Sequence, residues 1–279
     1  MDGLHTWWRT RDRVLVMGVL NVTPDSFYDG GRWSDPVKAG KRALDMIDEG
    51  ADIIDVGGES SRPGARPVPG DVERDRVAPI ISWLTERTEV PVSVDTTKAA
   101  VADAALEAGA IMVNDISAMR FDPEMAATVA RHGAAVVLMH MQGTPGTMQQ
   151  DPRYTDPVRE VRSFLDDRLR AALEAGIARD RIVVDPGIGF GKRLEHNLAL
   201  LAGVSEFVSL GVPVLVGLSR KSFLGELIGV PSQRRLVGTV AANAVAIARG
   251  ADLIRVHDVR EGRWTADVAF RVRTAAGRS

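Results

Sequence analysis

Polar side chains able to do chemistry recur at one kind of place in this sequence, the end of a short apolar run. In order they are Asn21, Asp55 with Glu59, Asp95, Asn114 with Asp115, His140, Asp185, Ser219 with Arg220 and Lys221, and finally Arg255 and His257. The set is mixed in charge. Asn114 and Asp185 suit hydrogen bonding to the edge of a flat ring, whereas Arg62, Arg220, Lys221, Arg255 and His257 suit an anion. A substrate with a planar polar ring at one end and phosphates at the other would use both halves. Asp95 would then stabilise positive charge developing between them.

The densest of these places is RIVVDPGIGFGK, residues 181–192. Ile182, Val183 and Val184 read as a strand buried on both faces, because no polar residue alternates with them. Pro186 and Gly187 stop that strand just after Asp185. The glycines that follow are not a P-loop, since its first glycine would fall on Pro186 and Arg193 stands where Ser or Thr is required. They leave room for a flat or anionic group to approach the backbone.

The elements that must position these side chains follow a repeated phrase: a helix-like segment, a glycine, then a short apolar strand with a polar end. GADIIDVGG from Gly50, GAIMVNDIS from Gly109, GAAVVLMHM from Gly133 and GADLIRVHDV from Gly250 are its clearest copies. Eight strand candidates result, centred near residues 17, 54, 93, 113, 137, 183, 215 and 254. Helical periodicity predicts helices over 37–49, 71–87, 97–108, 123–132 and 156–175, with glycine closing each. Strands alternating with helices imply right-handed crossovers and a parallel sheet. Eight such units predict an α/β fold of the (β/α)8 TIM-barrel type, with the site at the C-terminal ends of the strands. A doubly wound sheet would carry a GxGxxG turn after its first strand, and Gly18 to Asn21 offers none. Arg255 and His257, two apart, then point to one side.

The chain has 279 residues, 45% of them hydrophobic and 26% charged, with a net charge of −2 and no cysteine. Such a balance advertises no surface for nucleic acid. Disulfides, thiolate metal sites and a cysteine nucleophile are excluded. No apolar stretch approaches the roughly 18 residues of a membrane span, so a cytoplasmic protein is expected. No linker divides the chain. One domain is expected over 1–279, with its core at about 14–275 and residues 1–13 capping the far end of the barrel. Two long loops, 21–35 and 57–70, are rich in glycine, proline and polar residues and are expected to serve the site.

Eight motifs, taken in order, resemble bacterial dihydropteroate synthase: NVTPDSF (21–27), DVGGESSRPG (55–64), SVDT (93–96), VND (113–115), LMHMQG (138–143), DPGIGFGK (185–192), GLSRKSFLG (217–225) and RVHDV (255–259). The resemblance spans nearly the whole chain. It implies a TIM-barrel homodimer that joins para-aminobenzoate to 6-hydroxymethyl-7,8-dihydropterin diphosphate, releasing pyrophosphate with Mg²⁺ bound. By the same resemblance Asp95, Asn114, Asp185 and Lys221 bind the pterin, and Asp95, Arg62 and Lys221 serve catalysis. Ser61, Arg62, Arg255 and His257 hold the diphosphate. Phe27, Pro63, Phe190 and Ser222 line the para-aminobenzoate pocket, and Asn21 ligates Mg²⁺. Ser61 where threonine is common, and Tyr28 where serine is frequent, are departures that remove no functional group.

Plainer roles are available to several of these residues. Asp55 could be a structural acid, and Asp95 and Asp185 could cap following helices. His140 reads as a supporting residue rather than a base. His5, His132 and His196 read as surface or capping residues, and TPGTMQQD (144–151) as an exposed loop. Arginines 9, 11, 13, 271 and 273 read as solvated. Two other functions share parts of the pattern. A corrinoid-linked methyltetrahydrofolate methyltransferase would keep the pterin-reading acid and amide but needs neither long loop. A non-catalytic pterin-binding paralogue would lack Asn21, Arg62 or Asp95, and all three are present.

Overall fold

In a computed structural model, which describes residues 12–22, 36–62 and 64–276, strands and helices alternate along the chain. The order is β1 (Leu15–Asn21), α1 (Pro36–Asp48), β2 (Ile53–Gly57), α2 (Gly70–Thr85), β3 (Val92–Asp95), α3 (Ala99–Glu107), β4 (Met112–Asp115) and α4 (Met125–His132). It continues with β5 (Ala135–Met139), α5 (Pro157–Glu174), β6 (Ile182–Asp185), α6 (Leu194–Ala202), α7 (Val204–Val208), β7 (Leu215–Val216), α8 (Ser222–Ile228), α9 (Leu236–Ala248), β8 (Leu253–Val256) and α10 (Val259–Ala276). All eight predicted strand centres fall inside these strands.

The sheet is parallel throughout, in the order β6-β5-β4-β3-β2-β1-β8-β7. A parallel bridge from Val184 to Val214 joins its two ends, closing the (β/α)8 barrel. The expected cap, residues 1–13, falls almost wholly outside the described residues.

Two apolar layers hold the fold together. Leu15, Met17, Ile53, Met112, Ala135, Val137, Val183, Leu215 and Leu253 fill the barrel interior. Alternate strand residues such as Val16, Ile54, Val94, Val113, Val136 and Val184 face outward beneath the helices. The strands are therefore covered on both faces, which is why they read as continuous apolar runs. Side chains two apart share a face. One step beyond the interior layer toward the strand ends stand Asp55 after Ile53, Asn114 after Met112, Asp185 after Val183 and Arg255 after Leu253. The residues that plug the barrel thus sit directly beneath the residues that line its mouth.

Local chemistry sets the helix ends. Asp156 accepts the N–H of Arg159 at 3.0 Å and caps α5, with Pro157 at the first helical position. Gly133 closes α4 at φ +59°. The third helix begins two residues later than periodicity suggests, because the Thr96 hydroxyl takes the N–H of Lys98 at 3.2 Å and holds the chain in a turn. Neither Asp95 nor Asp185 caps a helix: those positions belong to Lys98 and Arg193.

Candidate active site

Arg255 is the centre of the mouth. Its Nε donates to Asp55 Oδ2 at 2.6 Å and its Nη2 to Asp95 Oδ2 at 2.7 Å. Asp55 is fully buried, and the same oxygen accepts Asn114 Nδ2 at 3.0 Å. One carboxylate therefore orients both an arginine and an asparagine from different strands. Its other oxygen, Oδ1, is buried without a partner. Asp55 is structural in the sense expected, yet what it positions is the site itself.

Electrostatics in this mouth are set by burial. Burial pushes Asp95 up to about 7, with Arg255 pulling it down and Asp55, Glu73 and Asp115 pushing it up further. Burial also opposes the charge on Arg255, but Asp55 and Asp95 carry its net shift upward. The guanidinium therefore stays charged, and Asp95 is the group poised to titrate near neutrality. Asp185 is raised by burial and drawn back by Lys221. Lys221 is lowered to about 8 by burial, with Asp185 opposing the fall and Arg255 adding to it.

The glycine loop packs tightly against this group. Asp185 Oδ1 accepts the N–H of Gly187 at 2.7 Å, which leaves its second oxygen for a ligand. Gly187 sits at φ +63°, and a Cβ there would lie 1.9 Å from the carbonyl oxygen of His140, so no other residue fits. Lys221 Nζ donates to the Ile188 carbonyl and stands 4.3 Å from the centre of the Phe190 ring. Beneath the loop, buried Lys192 donates to the carbonyls of Gly187 and Phe190, each at 2.9 Å, and meets His140 Nδ1 at 3.0 Å. Burial, then Lys192, then Arg120 drive His140 down to about 2, so it is a neutral acceptor for that lysine. His140 supports the loop, as expected. Lys192 had no role from sequence, and nothing local signals that it folds under the loop, where burial and then Lys221 push it well below the ordinary lysine range.

Other positions differ from their sequence reading. Arg220, expected to face an anion, pairs with Asp258 through bonds of 2.9 and 2.6 Å, its backbone at φ +57°. The stretch 144–151 is more than an exposed loop. Met148 is buried among Ile116, Met139 and Met141 with Phe190 against them, and Gln149 donates to the Gly189 carbonyl at 3.2 Å. His196 does cap, accepting the Arg193 N–H at 3.2 Å. His132 pairs with Asp103 at 2.6 Å.

Of the remaining candidates, His257 meets the Ser219 hydroxyl at 3.0 Å through Nδ1. Burial, then Arg255, lowers His257 to about 4, and Arg62 adds to the fall from the second long loop. Ser61 stands beside Arg62 in that loop. Ser222 opens α8 and, with Gly189, lines a polar groove of about 450 Å³. Phe27 and Pro63 lie outside the described residues. Asn21 ends β1, and a Cβ placed on Gly57 would lie 3.6 Å from both Asn21 Oδ1 and Asp95 Oδ2. Among the described residues no group of three or more His, Asp or Glu side chains could hold a metal ion.

A buried acid and amide beside a glycine loop, with arginine and histidine across the mouth, suit a pterin carrying phosphates. Residues 17–257 match the family model described as pterin binding enzyme. Dihydropteroate synthase of Synechocystis is 48% identical over 88% of this chain and 86% of its own length. The Escherichia coli K12 enzyme is 47% identical over 88% and 87%. This chain belongs to the dihydropteroate synthase family. The Yersinia pestis synthase, solved as a sulfonamide drug complex, superposes with a TM-score of 0.88 at 44% identity, covering 96% of each chain. The Xanthomonas albilineans synthase with 4-aminobenzoic acid gives 0.87 at 47% identity, covering 96% of this chain and 94% of that one. These relatives are synthases rather than corrinoid-linked methyltransferases, in line with the two long loops.

Proposed function

We propose that the chain condenses 6-hydroxymethyl-7,8-dihydropterin diphosphate with para-aminobenzoate to give 7,8-dihydropteroate and pyrophosphate. The observation that carries this reading is the meeting of Asp185, Asn114 and Lys221 with Arg255 and His257 in one barrel mouth. Asp185 accepts adjacent N–H donors of the aminopyrimidinone edge in charge-assisted bonds. Asn114, its amide turned by Asp55, presents its oxygen to the ring, and Lys221 donates to the ring from above the glycine loop. Arg255, His257, Ser61 and Arg62 hold the diphosphate.

As the C–O bond to the diphosphate breaks, its electron pair leaves with pyrophosphate and positive charge forms on the pterin. The Asp95 carboxylate stabilises that charge, and its ionisation near neutrality keeps it available. The amine of para-aminobenzoate then forms the new C–N bond and loses a proton. Phe190, with Phe27 and Pro63, walls the benzoate, and Ser222 at the start of α8 meets its carboxylate. Lys221 and Arg62 serve the same step as cations beside the departing diphosphate. Mg²⁺ fits Asn21: a lone amide oxygen suits a hard ion otherwise held by waters and substrate phosphates. Such an ion supplies charge neutralisation on the diphosphate.

The homodimer has its own support. Trp264, Val268 and Val272 follow one another at four-residue spacing on α10 and are each more than 60% exposed. Val237 and Val245 of the adjoining α9 are exposed as well. Paired apolar helix faces of this kind suit a second copy of the chain. No helix among the described residues is long and apolar enough to cross a membrane. We place this single barrel domain in the cytoplasm, with small-molecule substrates and no nucleic-acid partner. Incubation with Mg²⁺, the pterin diphosphate and labelled para-aminobenzoate tests the reading. Labelled dihydropteroate is expected, and no product at high enzyme concentration would overturn it.

A further inference from the structure

The second long loop leaves β2 at Gly58 and reaches α2 at Gly70, and its base is fastened by charged side chains. Arg76 Nη1 donates to the Gly58 carbonyl at 2.8 Å. Glu59 Oε2 accepts the N–H of Val68 at 2.8 Å, so one carboxylate joins the loop's two ends. The same oxygen accepts from Lys98 Nζ at 2.6 Å, and that ammonium reaches Glu73 Oε2 at 2.5 Å. Glu73 lies in the first turn of α2 and is 1% exposed, while Lys98 stands at the start of α3. Three elements thus meet at one ammonium. The loop's tip leans the other way, where the Gly64 N–H donates to the Pro145 carbonyl at 3.1 Å. Ser61 and Arg62 lie between this clamp and the tip.

We propose that Lys98 is a positioning residue for the reaction: by bridging Glu59 to Glu73 it fixes the base of the second loop, so that Ser61 and Arg62 stand over the mouth. A buried carboxylate such as Glu73 needs a cation beside it. Among its described residues the loop makes no strand pairing, and Glu59 is the one whose side chain Lys98 hydrogen-bonds. Burial opposes the charge on Lys98, but hydrogen bonds to Glu59 and Glu73 carry its net shift upward, so the ammonium stays charged through the working pH range. The clamp also neighbours the chemistry, since Glu73 is among the groups that raise Asp95. What the loop does rests on the synthase reading; that the clamp holds the loop does not.

Two variants and two readouts separate the possibilities. Lys98→Met removes the ammonium. Glu59→Ala removes the oxygen that Val68 and Lys98 share, which cuts the loop from the clamp but leaves Lys98 on Glu73, so it keeps the test alive if Lys98→Met folds poorly. Hydrogen exchange of amides 58–69 is expected to quicken on the order of tenfold in Glu59→Ala, with the barrel strands unchanged. The KM for the pterin diphosphate is expected to rise, and kcat/KM to fall by on the order of tenfold to a hundredfold, with the KM for para-aminobenzoate little changed. Lower thermal stability with unchanged loop exchange and unchanged KM would make the cluster purely structural and overturn the proposal. Faster exchange with an unchanged KM would overturn it too. Absence of turnover in the wild type would refute the synthase reading instead, and exchange alone would then decide the clamp.

Discussion

Asp185→Asn isolates the reader of the ring. The substitution is nearly isosteric and keeps an oxygen for the Gly187 N–H, now bonded at 2.7 Å, so the turn after β6 survives. What is lost is the charge, and with it the ability of one group to accept two adjacent donors; the amide keeps one acceptor and turns an N–H toward the second. Hydrogen bonds to a charged partner contribute about 1.5–3 kcal/mol each, and one such bond lost with another weakened costs about 2–4 kcal/mol. That corresponds to a Kd for the pterin diphosphate higher by roughly 30- to 700-fold. Folding should not suffer. Burial already disfavours the charge on Asp185, so the neutral amide is expected to leave the Tm unchanged or raise it. Lys221, kept charged in part by Asp185, should titrate still lower. Calorimetry against the pterin diphosphate reads the effect. A Kd within about threefold of wild type, which is less than 1 kcal/mol, would refute the role given to this carboxylate.

Four further perturbations test the mouth and the exposed face of α10. Arg255→Met strips the shared cation from Asp55 and Asp95 and should destabilise the fold by about 3–5 kcal/mol in urea melts, with activity lost; a loss under about 1 kcal/mol would mean the pairs contribute little. Because Asp95 is raised to about 7, kcat/KM should fall below that pH as the carboxylate is protonated, and an acid limb centred near 4 would contradict the assignment. The stability sign runs the other way: a raised carboxyl contributes fully below its free value of 3.8 and loses that contribution as the pH climbs through 7. Asp95→Asn should therefore melt higher than wild type at pH 8 while losing turnover. Val268→Glu puts a charge in the exposed face of α10 and should give a monomer by light scattering, where a persistent dimer would move the interface elsewhere.

The barrel was legible because its strands are covered on both faces and cannot alternate with polar residues, as in Val183–Val184 before Asp185. The polar side chains at the strand ends were legible too, since the barrel's geometry sends every strand to one mouth. Pairings between them were not. Asp55 and Arg255 are 200 positions apart, and Asp95 and Arg255 are 160 apart, so nothing local specifies that one guanidinium serves both acids. Lys192 was opaque for a similar reason: its neighbours suggest a solvent-facing loop cation, and only tertiary folding turns it under the loop toward two carbonyls and His140. Arg220 beside Lys221 looks equally suited to an anion, yet it pairs with Asp258, 38 positions away, a partner nothing local specifies. Residues 144–151 are polar enough to pass for an exposed loop. Met148, the one apolar long chain in that stretch, is what packs it against Phe190.

The most direct test measures both products of one reaction. Purified protein with Mg²⁺, the pterin diphosphate and para-aminobenzoate should release dihydropteroate and pyrophosphate in equal amounts, and neither should form without the amine substrate at a comparable rate. Pyrophosphate released at the same rate with or without para-aminobenzoate would contradict transfer to the amine, and no release at all would contradict the synthase reading of this barrel mouth.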